Sequence, residues 1–505
     1  MNLEGRYEEL VNFTDELINF LSNYEDVIDS QNINFLINDN WQKLSESKQR
    51  QLLFYARTNQ LDQIPPGTLL LSEFCEHQKA DDKHCIICYL KQIQKYSLVH
   101  PNPHVLDFQN FSWFPLSQSG LKVHRPSGAS KKEHEIDAMA SLIFGLLSKC
   151  QSDRVVDVGS GLGYLDSLLA VSNDTICNVI GLEISQHNAD KAQIRHGSLL
   201  GRDCKICKEE WSSNCRSLQS QGLPIPNRKW KICTHDTKVN NFCSVLQKVD
   251  CNLDIDQIVS DSFQPGKDAK DSFVIAGLHT CGNLASDALR LFVRSDKCNA
   301  LCLVPCCHNL LKEHFNKGIS RIVDHNAEPG FPLSRHLYEK RFSVGLNFRE
   351  IATQSPFKVS PTPTVAIFYR CLLQKLLLEF YGYLDKDWEV GRAKKCMTKS
   401  FADYVHHSLN ILKPLLPLDS KKNPADEWTP DFLSHYEAQH AEEKMKLHAF
   451  QYYRMALAPS VESLLILDKI LFLLEEVKNG DLRLVRLFDP KKSPRCLALV
   501  MLKGN

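Results

Sequence analysis

The fold is decided by residues 153–170, which read DRVVDVGSGLGYLDSLLA. The first part is an apolar run typical of a strand, and the last part has the apolar spacing of a helix. Between them lies the turn 159–163, GSGLG, whose glycines permit positive φ and a close approach of the backbone to a ligand. The first N–H groups of the following helix point towards the same ligand. The stretch therefore predicts a strand, a ligand-binding turn and a helix.

The spacing of these glycines limits which ligand the turn can bind. A dinucleotide fingerprint, G-x-G-x-x-G, would need glycine where Tyr164 stands, and a phosphate-binding loop would need G-K-[ST]. What remains is D-x-G-x-G-x-G, the usual turn for S-adenosylmethionine (SAM) in class I methyltransferases. The residues of the turn that are predicted to bind SAM are Asp157, Gly159, Ser160, Gly161 and Gly163.

Three acidic residues complete the predicted cofactor site. Glu183 stands twenty residues past Gly163, at the end of the second apolar run, where a carboxylate can accept both hydroxyls of a ribose. Asp236 ends the run KWKICTHD and is predicted to contact the adenine amino group. Asp157 is predicted to fix the turn and the ammonium end of the cofactor.

Strand-like and helix-compatible runs alternate after the turn, which predicts a parallel, doubly wound sheet. The chain then ends with a long apolar helix that opens at Pro459, and with a hairpin over 482–502. A helix followed by a terminal hairpin completes the seven-stranded sheet of many class I methyltransferases. The predicted fold class is therefore α/β, a class I SAM-dependent methyltransferase. The further strand-like runs are 175–184, 229–236, 272–280 and 299–307.

The length of 505 residues suits several domains rather than one. Residues 1–120 are predicted to be a helical accessory region, because apolar residues recur there at helical spacing. The methyltransferase core is predicted over 121–308 and again over 460–505, which supplies the last helix and the hairpin. Residues 309–459 between them are predicted to be a mostly helical insertion.

Composition excludes several classes of protein. The chain has 60 basic and 60 acidic residues, so bulk charge does not hold it to nucleic acid or to a membrane surface. The start, MNLEGRYEEL, lacks the features of a signal peptide, and the apolar stretch 464–474 is too short to span a bilayer. Nineteen cysteines without a signal peptide indicate reduced thiols. A cytoplasmic or nuclear protein with no membrane partner is predicted.

Two segments at the ends of neighbouring strands carry candidate acceptor chemistry: 277–284, GLHTCGNL, and 304–309, VPCCHN. His279 could take a proton from a hydroxyl or nitrogen acceptor. Alternatively, Cys281 and Cys306 could serve methylation of a pyrimidine at C5, in which one thiolate attacks C6. The remaining alternative is that these cysteines are small buried apolar side chains. The motif D/N-P-P-Y/F, typical of methylation of amino groups on bases, is absent after the fourth strand.

Other cysteines are spaced like parts of zinc sites. Cys75 lies near Cys85-x-x-Cys88, which is half a zinc site, and Cys204-x-x-Cys207 is another half. Neither half has a second pair at standard spacing. No metal ligand is therefore predicted, and these residues are interpreted as ordinary reduced cysteines.

Several segments together resemble the methyltransferase-like protein 25 family and the related ribosomal RNA adenine dimethylase domain-containing proteins. The resemblance implies a SAM-dependent methyltransferase fold and activity. The LHTCG and CCH segments are also similar to those of eukaryotic tRNA 2′-O-methyltransferases, which favours RNA as acceptor, at a 2′-hydroxyl or a base. A protein acceptor stays open, as does a binding or assembly module without catalysis. The segments are HEI at 134–136, VVDVGSGLGYL at 155–165, GLHTCGNLA at 277–285, VPCCHNLL at 304–311, GFPLS at 330–334 and SPRCLALV at 493–500.

Overall fold

The computed structural model describes most of the chain, with several gaps. The predicted third strand 229–236, and Asp236 with it, lie outside the described residues, as do Cys75, Cys85, Cys204 and Cys207. The described residues are 3–58, 86–99, 130–171, 177–199, 241–262, 272–315, 328–355, 365–385, 388, 399–412, 414–416 and 427–504.

One seven-stranded sheet carries the fold, in the order β3-β2-β1-β4-β5-β7-β6. Strands β1 to β5 run parallel, and β7 pairs antiparallel with both β5 and β6. The predicted class I methyltransferase fold is confirmed, including the terminal hairpin that joins the same sheet as the first strand. The strands are β1 Arg154–Val158, β2 Asn178–Glu183, β3 Phe242–Leu246, β4 Phe273–Cys281, β5 Cys298–Cys306, β6 Gly480–Arg486 and β7 Leu497–Lys503.

Sixteen α-helices are found among the described residues, and none of them is both long and apolar enough to cross a membrane. They are α1 Leu3–Ser22, α2 Glu25–Ile28, α3 Glu46–Arg57, α4 Ile86–Lys95, α5 Ser130–Cys150, α6 Tyr164–Val171, α7 Gln186–Leu199, α8 Ile255–Ser262, α9 Leu284–Arg294, α10 Arg335–Glu339, α11 Leu346–Ala352, α12 Val365–Tyr381, α13 Phe401–Leu412, α14 Pro430–Gln439, α15 Ala441–Ala456 and α16 Ala458–Glu476.

The central strands are mostly apolar and are buried along nearly their whole length, because helices cover both faces of a parallel sheet. All five residues of β1 are buried, and eight of the nine residues of β5 are buried. Amphipathic helices such as α9 bury one side against these strands. The apolar runs that predicted strands from the sequence therefore form the central strands of the sheet.

Strand β3 was not predicted from the sequence, and the predicted run 229–236 lies outside the described residues. Phe242–Leu246 pairs with β2, from Val179 opposite Phe242 to Glu183 opposite Leu246. This strand lies at the edge of the sheet, and its residues alternate between buried and partly exposed. A short edge strand of this kind gives a weak apolar signal, which explains why the sequence pattern did not predict it.

The described chain forms two compact units. One consists of Met1–Asp15, Pro101–Arg349 and Leu464–Asn505, and it holds all seven strands. The other consists of Glu16–His100 and Glu350–Ser463, and its described elements are helical. The second unit thus combines residues 16–100 with residues 350–463. The sequence predicted the N-terminal region and the insertion as separate regions.

The segment after β5 belongs to the unit with the sheet up to Arg349, although the sequence predicted an insertion from residue 309. Buried Arg349 pairs with Glu313 at 2.7 Å and donates to the carbonyl of Asn309. The backbone around residue 330 is fixed in turn by α9, since Ser286 Oγ donates to the carbonyl of Gly330 at 2.7 Å. These buried polar contacts hold the segment against the sheet's own helices.

The helical unit has a core of aromatic rings and one buried guanidinium. Tyr89 and Tyr453 stack with ring centroids 4.0 Å apart, and Tyr89 Oη donates to the carbonyl of Tyr453. Buried Arg454 donates to the carbonyls of Val27 and Ile28. Residues from both ends of the unit's sequence therefore share one core.

Candidate active site

The glycine turn follows β1 and has the backbone that its sequence predicted. Gly159, Gly161 and Gly163 all have positive φ, at 76°, 57° and 67°. A Cβ on Gly163 would lie 2.6 Å from Cβ of Ala192 in α7, whereas a Cβ on Gly161 would have no atom closer than the Gly159 carbonyl oxygen at 4.0 Å. Gly163 thus allows α7 to pack against the turn, and Gly161 leaves open space above it.

Glu183 ends β2 and holds this turn. Its carboxylate accepts from the Gly161 backbone N–H at 2.9 Å and from the Ser185 backbone N–H at 2.8 Å. A carboxylate can accept about four hydrogen bonds, so capacity remains for the hydroxyls of a ribose. The predicted residue therefore lies directly beside the predicted turn.

Two buried carboxyl groups lie under the turn. Burial raises the pKa of Asp157 to about 7, with Asp166 and His279 acting in the opposite direction and Glu183 adding to the rise. Burial and the charge of Asp157 raise the pKa of Asp166 well above its usual range. Near neutral pH the pair therefore retains a proton, which resides on Asp166.

These polar groups fit SAM. Oδ1 of Asp157 and Oγ of Ser160 are buried and have no hydrogen-bond partner in the protein. Unpaired buried acceptors are costly, and a ligand ammonium group beside them would offset that cost. The open space at Gly161 gives such a ligand room. The turn thus has open space and an anionic group that suit SAM.

His279 lies near the end of β4, and its orientation depends on Glu135. Nε2 of His279 is 3.3 Å from Oε2 of Glu135, which is buried in the first turns of α5, while the imidazole remains 43% exposed. Burial alone would raise the pKa of Glu135, but hydrogen bonds from His279 and Ser493 lower it to about 2. An ionised carboxylate only accepts hydrogen bonds, so Nε2 of His279 is the donor.

A bulge in β4 exposes His279. Gly277 pairs with Leu303 and Thr280 pairs with Pro305, so two residues of β4 face one residue of β5. The extra residue shifts the alternation of the strand, and a bulge of this kind commonly redirects a side chain near an active site. Thr280 is buried while His279 faces out.

The cysteines after β4 and β5 form one cluster. Sγ of Cys281 is 3.1 Å from Sγ of Cys306, which is 3.8 Å from Sγ of Cys307. The hydrogen bond from Cys306 lowers the pKa of Cys281 to about 6 against the opposing effect of burial, and the same bond raises the pKa of Cys306. The two predicted nucleophiles are thus unequal, with Cys281 as the thiolate and Cys306 as its donor.

A basic and aromatic group flanks the glycine turn. The ring of Tyr164, the first residue of α6, has Nζ of Lys132 at 3.4 Å and the guanidinium of Arg195 at 3.5 Å from its centroid. Cation–π contacts of this geometry hold both cations beside the turn. The three residues come from α5, α6 and α7.

The structure brings most of the predicted site residues to one edge of the sheet. The turn follows β1 and Glu183 ends β2, and the candidate acceptor residues lie at the ends of β4 and β5, beside β1 in the sheet. Asp236 lies outside the described residues. The sequence analysis missed Glu135, Asp166 and Ser493, although Glu135 belongs to the HEI segment that carried the resemblance and Asp166 is an acid among the apolar residues of α6.

Comparisons with known proteins agree with this fold. Residues 131–314 match a family model described as a methyltransferase domain, a family whose methyl donor is SAM. The chain is 29% identical to the probable methyltransferase-like protein 25 of Mus musculus over 463 residues, which cover 74% of this chain and 75% of that protein. It is 28% identical to the probable methyltransferase-like protein 25 of Homo sapiens over 471 residues, or 74% of each. The chain is therefore homologous to methyltransferase-like protein 25 and carries a SAM-dependent methyltransferase domain.

Proposed function

We propose that this chain methylates RNA, at a 2′-hydroxyl or a base nitrogen, with His279 as the general base. One observation carries the proposal: the partly exposed imidazole of His279, near the end of β4, is held by the buried, ionised carboxylate of Glu135. A base oriented by a second group is the arrangement that removes a proton from an acceptor. SAM, when bound, supplies an electrophilic methyl group.

The proton of the acceptor would move to Nδ1 of His279. Nε2 donates its hydrogen to Glu135, which leaves the lone pair of Nδ1 available. The other oxygen of Glu135 accepts from Ser493 Oγ at 2.5 Å and lies 3.5 Å from Nζ of Lys131. These contacts fix the carboxylate, and the carboxylate in turn selects the tautomer and orientation of the imidazole.

RNA is favoured over protein because two cations adjoin the turn. Lys132 and Arg195 lie against Tyr164, and basic side chains of this kind contact phosphates. The similarity of the LHTCG and CCH segments to tRNA 2′-O-methyltransferases supports the same acceptor. The proposal also puts the protein in the cytoplasm or the nucleus, where the free thiols of the described residues stay reduced.

The cysteines support base chemistry at C5 less well. A nucleophile for that reaction must be a free thiolate, and Cys281 is the better candidate. Its sulfur, however, is already in contact with Cys306 at 3.1 Å. Loss of all methyl transfer in Cys281→Ser, with C5-methylpyrimidine as the product of the unsubstituted protein, would favour this second chemistry over a histidine base.

Transfer of a tritiated methyl group tests the proposal. The full chain is incubated with labelled SAM and with separate RNA and protein fractions from cells. We expect label in RNA that ribonuclease releases and protease does not, and we expect nucleoside analysis to show a 2′-O-methyl or N-methyl product. Label in protein alone, or no transfer by a chain that binds SAM, contradicts the proposal.

A further inference from the structure

Three sulfur atoms meet at the carboxyl ends of β4 and β5. Sγ of Cys281, Cys306 and Cys307 all lie within 4.8 Å of one another, with separations of 3.1 Å and 3.8 Å from Cys306 to its two neighbours. Cys306 is buried, and the other two are partly exposed. Within the described residues, no fourth cysteine, histidine or carboxylate joins the three at this spacing.

The backbone is specifically arranged to bring these sulfurs together. Cys281 and Cys306 are direct partners in the pairing of β4 with β5, after the bulge at 278–279. Adjacent residues of a strand point to opposite faces, so Cys306 and Cys307 would normally diverge. Cys307 instead has φ 46° and ψ 48°, a left-handed conformation that non-glycine residues adopt rarely, and its sulfur stays 3.8 Å from that of Cys306.

The turn after β4 is fixed to the turn after β5 at the same place. A Cβ on Gly282 would lie 2.9 Å from both the Cβ and the carbonyl oxygen of Leu310, so only glycine permits this approach. The Gly282 N–H also donates to the carbonyl of Cys306. The two turns that carry the cysteines are therefore held together by backbone contacts, which preorganises the cluster.

The spacing suits a tetrahedral metal ion. Sulfur ligands at about 2.3 Å from Zn²⁺ lie about 3.8 Å apart in a tetrahedron. Cys306 and Cys307 have this separation, and Cys281 and Cys306 are closer, at 3.1 Å. We propose that Cys281, Cys306 and Cys307 bind one thiophilic metal ion, Zn²⁺ in the first place, and leave its fourth position open on the partly exposed side. Three protein ligands with an open position are the composition of catalytic rather than structural zinc sites.

A disulfide between Cys281 and Cys306 is the competing use of the same sulfurs. It would need only two cysteines and would give no reason for the left-handed backbone at Cys307. The metal site uses all three sulfurs and the strained residue. The proposed metal site does not depend on the identity of the methyl acceptor, because metal binding can be measured without any methyl transfer.

Metal content tests the inference directly. The full chain is reduced, stripped with a chelator and titrated with Zn²⁺ against a chromophoric chelator, and Co²⁺ is used as a spectroscopic substitute. We expect the unsubstituted chain to bind one more ion than Cys281→Ser/Cys306→Ser/Cys307→Ser, and its Co²⁺ form to show thiolate charge transfer and tetrahedral bands. Cys251→Ser removes a partly exposed free cysteine outside the cluster and should bind as the unsubstituted chain does.

The single variant Cys307→Ala keeps the test valid if the triple variant does not fold. It should weaken Zn²⁺ binding and reduce the thiolate charge-transfer intensity by about one third, since one of three sulfurs is lost. Equal metal content in the unsubstituted and substituted chains would overturn the inference. So would a Co²⁺ spectrum without thiolate bands, or a Cys281–Cys306 disulfide that persists under reducing conditions. SAM affinity measured on the same samples keeps this result separate from the proposed methyl transfer.

Discussion

The two halves of the active-site edge are built in different ways. On the side of β1 and β2, the residues of the turn lie within seven positions of one another, and Glu183 joins them from twenty residues further along the chain. On the side of β4 and β5, His279 is oriented by Glu135, which is 144 positions away in the sequence. Glu135 is held in turn by Ser493, which is 358 positions from Glu135. The cofactor side is thus encoded locally, and the acceptor side depends on the completed sheet.

Deletion of residues 460–505 tests that dependence with the largest expected effect. It removes β6, β7 and most of α16, and it exposes the edge of β5, where Leu303 pairs with Leu499. An unpaired apolar edge promotes aggregation, so we expect insoluble protein on expression. A soluble truncated chain that still binds SAM would show that the cofactor side folds without the hairpin.

Gly161→Arg should abolish SAM binding and leave the protein folded. The new side chain would enter the open space at the turn, because no atom lies closer to its Cβ position than 4.0 Å. The cost of a non-glycine residue at φ 57° is about 1–2 kcal/mol, too little to unfold the chain. Calorimetry with SAM and a melting curve measure the two effects.

Gly382→Arg is the matched control for that substitution. Gly382 also has positive φ, at 78°, and an added Cβ would meet nothing within 4 Å. It should therefore have the same backbone cost and leave SAM affinity unchanged. SAM affinity within a few-fold of normal in Gly161→Arg would mean that the cofactor does not occupy the turn.

His279→Ala tests the acceptor side. Turnover should fall by about 10²–10⁴-fold, the usual contribution of a placed base, while SAM affinity stays within a few-fold. His435→Ala, at an exposed histidine of α14, controls for loss of a histidine as such. Unchanged turnover with a lowered melting temperature would assign His279 a structural role and remove the proposed base.

The same contrast explains how much of the molecule the sequence could predict. The glycine turn, Glu183 and the terminal hairpin could be predicted because each has a local pattern of spacing or periodicity. The edge strand β3 and the extent of the segment after β5 could not, because half-exposed residues and buried ion pairs such as Arg349–Glu313 give no periodic signal. Glu135 and Ser493 meet only in the folded chain, so neither could be identified from the residues around it.

The pH dependence of SAM binding should show whether Asp157 supplies the negative charge that attracts the ammonium group of SAM. Asp157 must be ionised to attract the ammonium group, and burial raises its pKa to about 7. Affinity should therefore weaken as the pH falls from about 8 to 6, by up to about tenfold for each pH unit below the pKa. Asp157→Asn should bind more weakly at pH 8 and show no such dependence. An affinity independent of pH in the unsubstituted chain would contradict this role.

Stability without SAM should change with pH in the opposite direction. The folded pKa of Asp157, about 7, lies above the value of about 3.9 for an unfolded aspartate. The folded state then binds the proton more tightly, so this contribution to stability is complete below about pH 4 and is lost as the pH rises through about 7. Chemical denaturation without SAM at several pH values measures it. Raising the pH should therefore weaken the empty protein and strengthen its binding of SAM. Asp157→Asn should lose the pH dependence of SAM affinity and reduce that of stability, to which buried Asp166 also contributes.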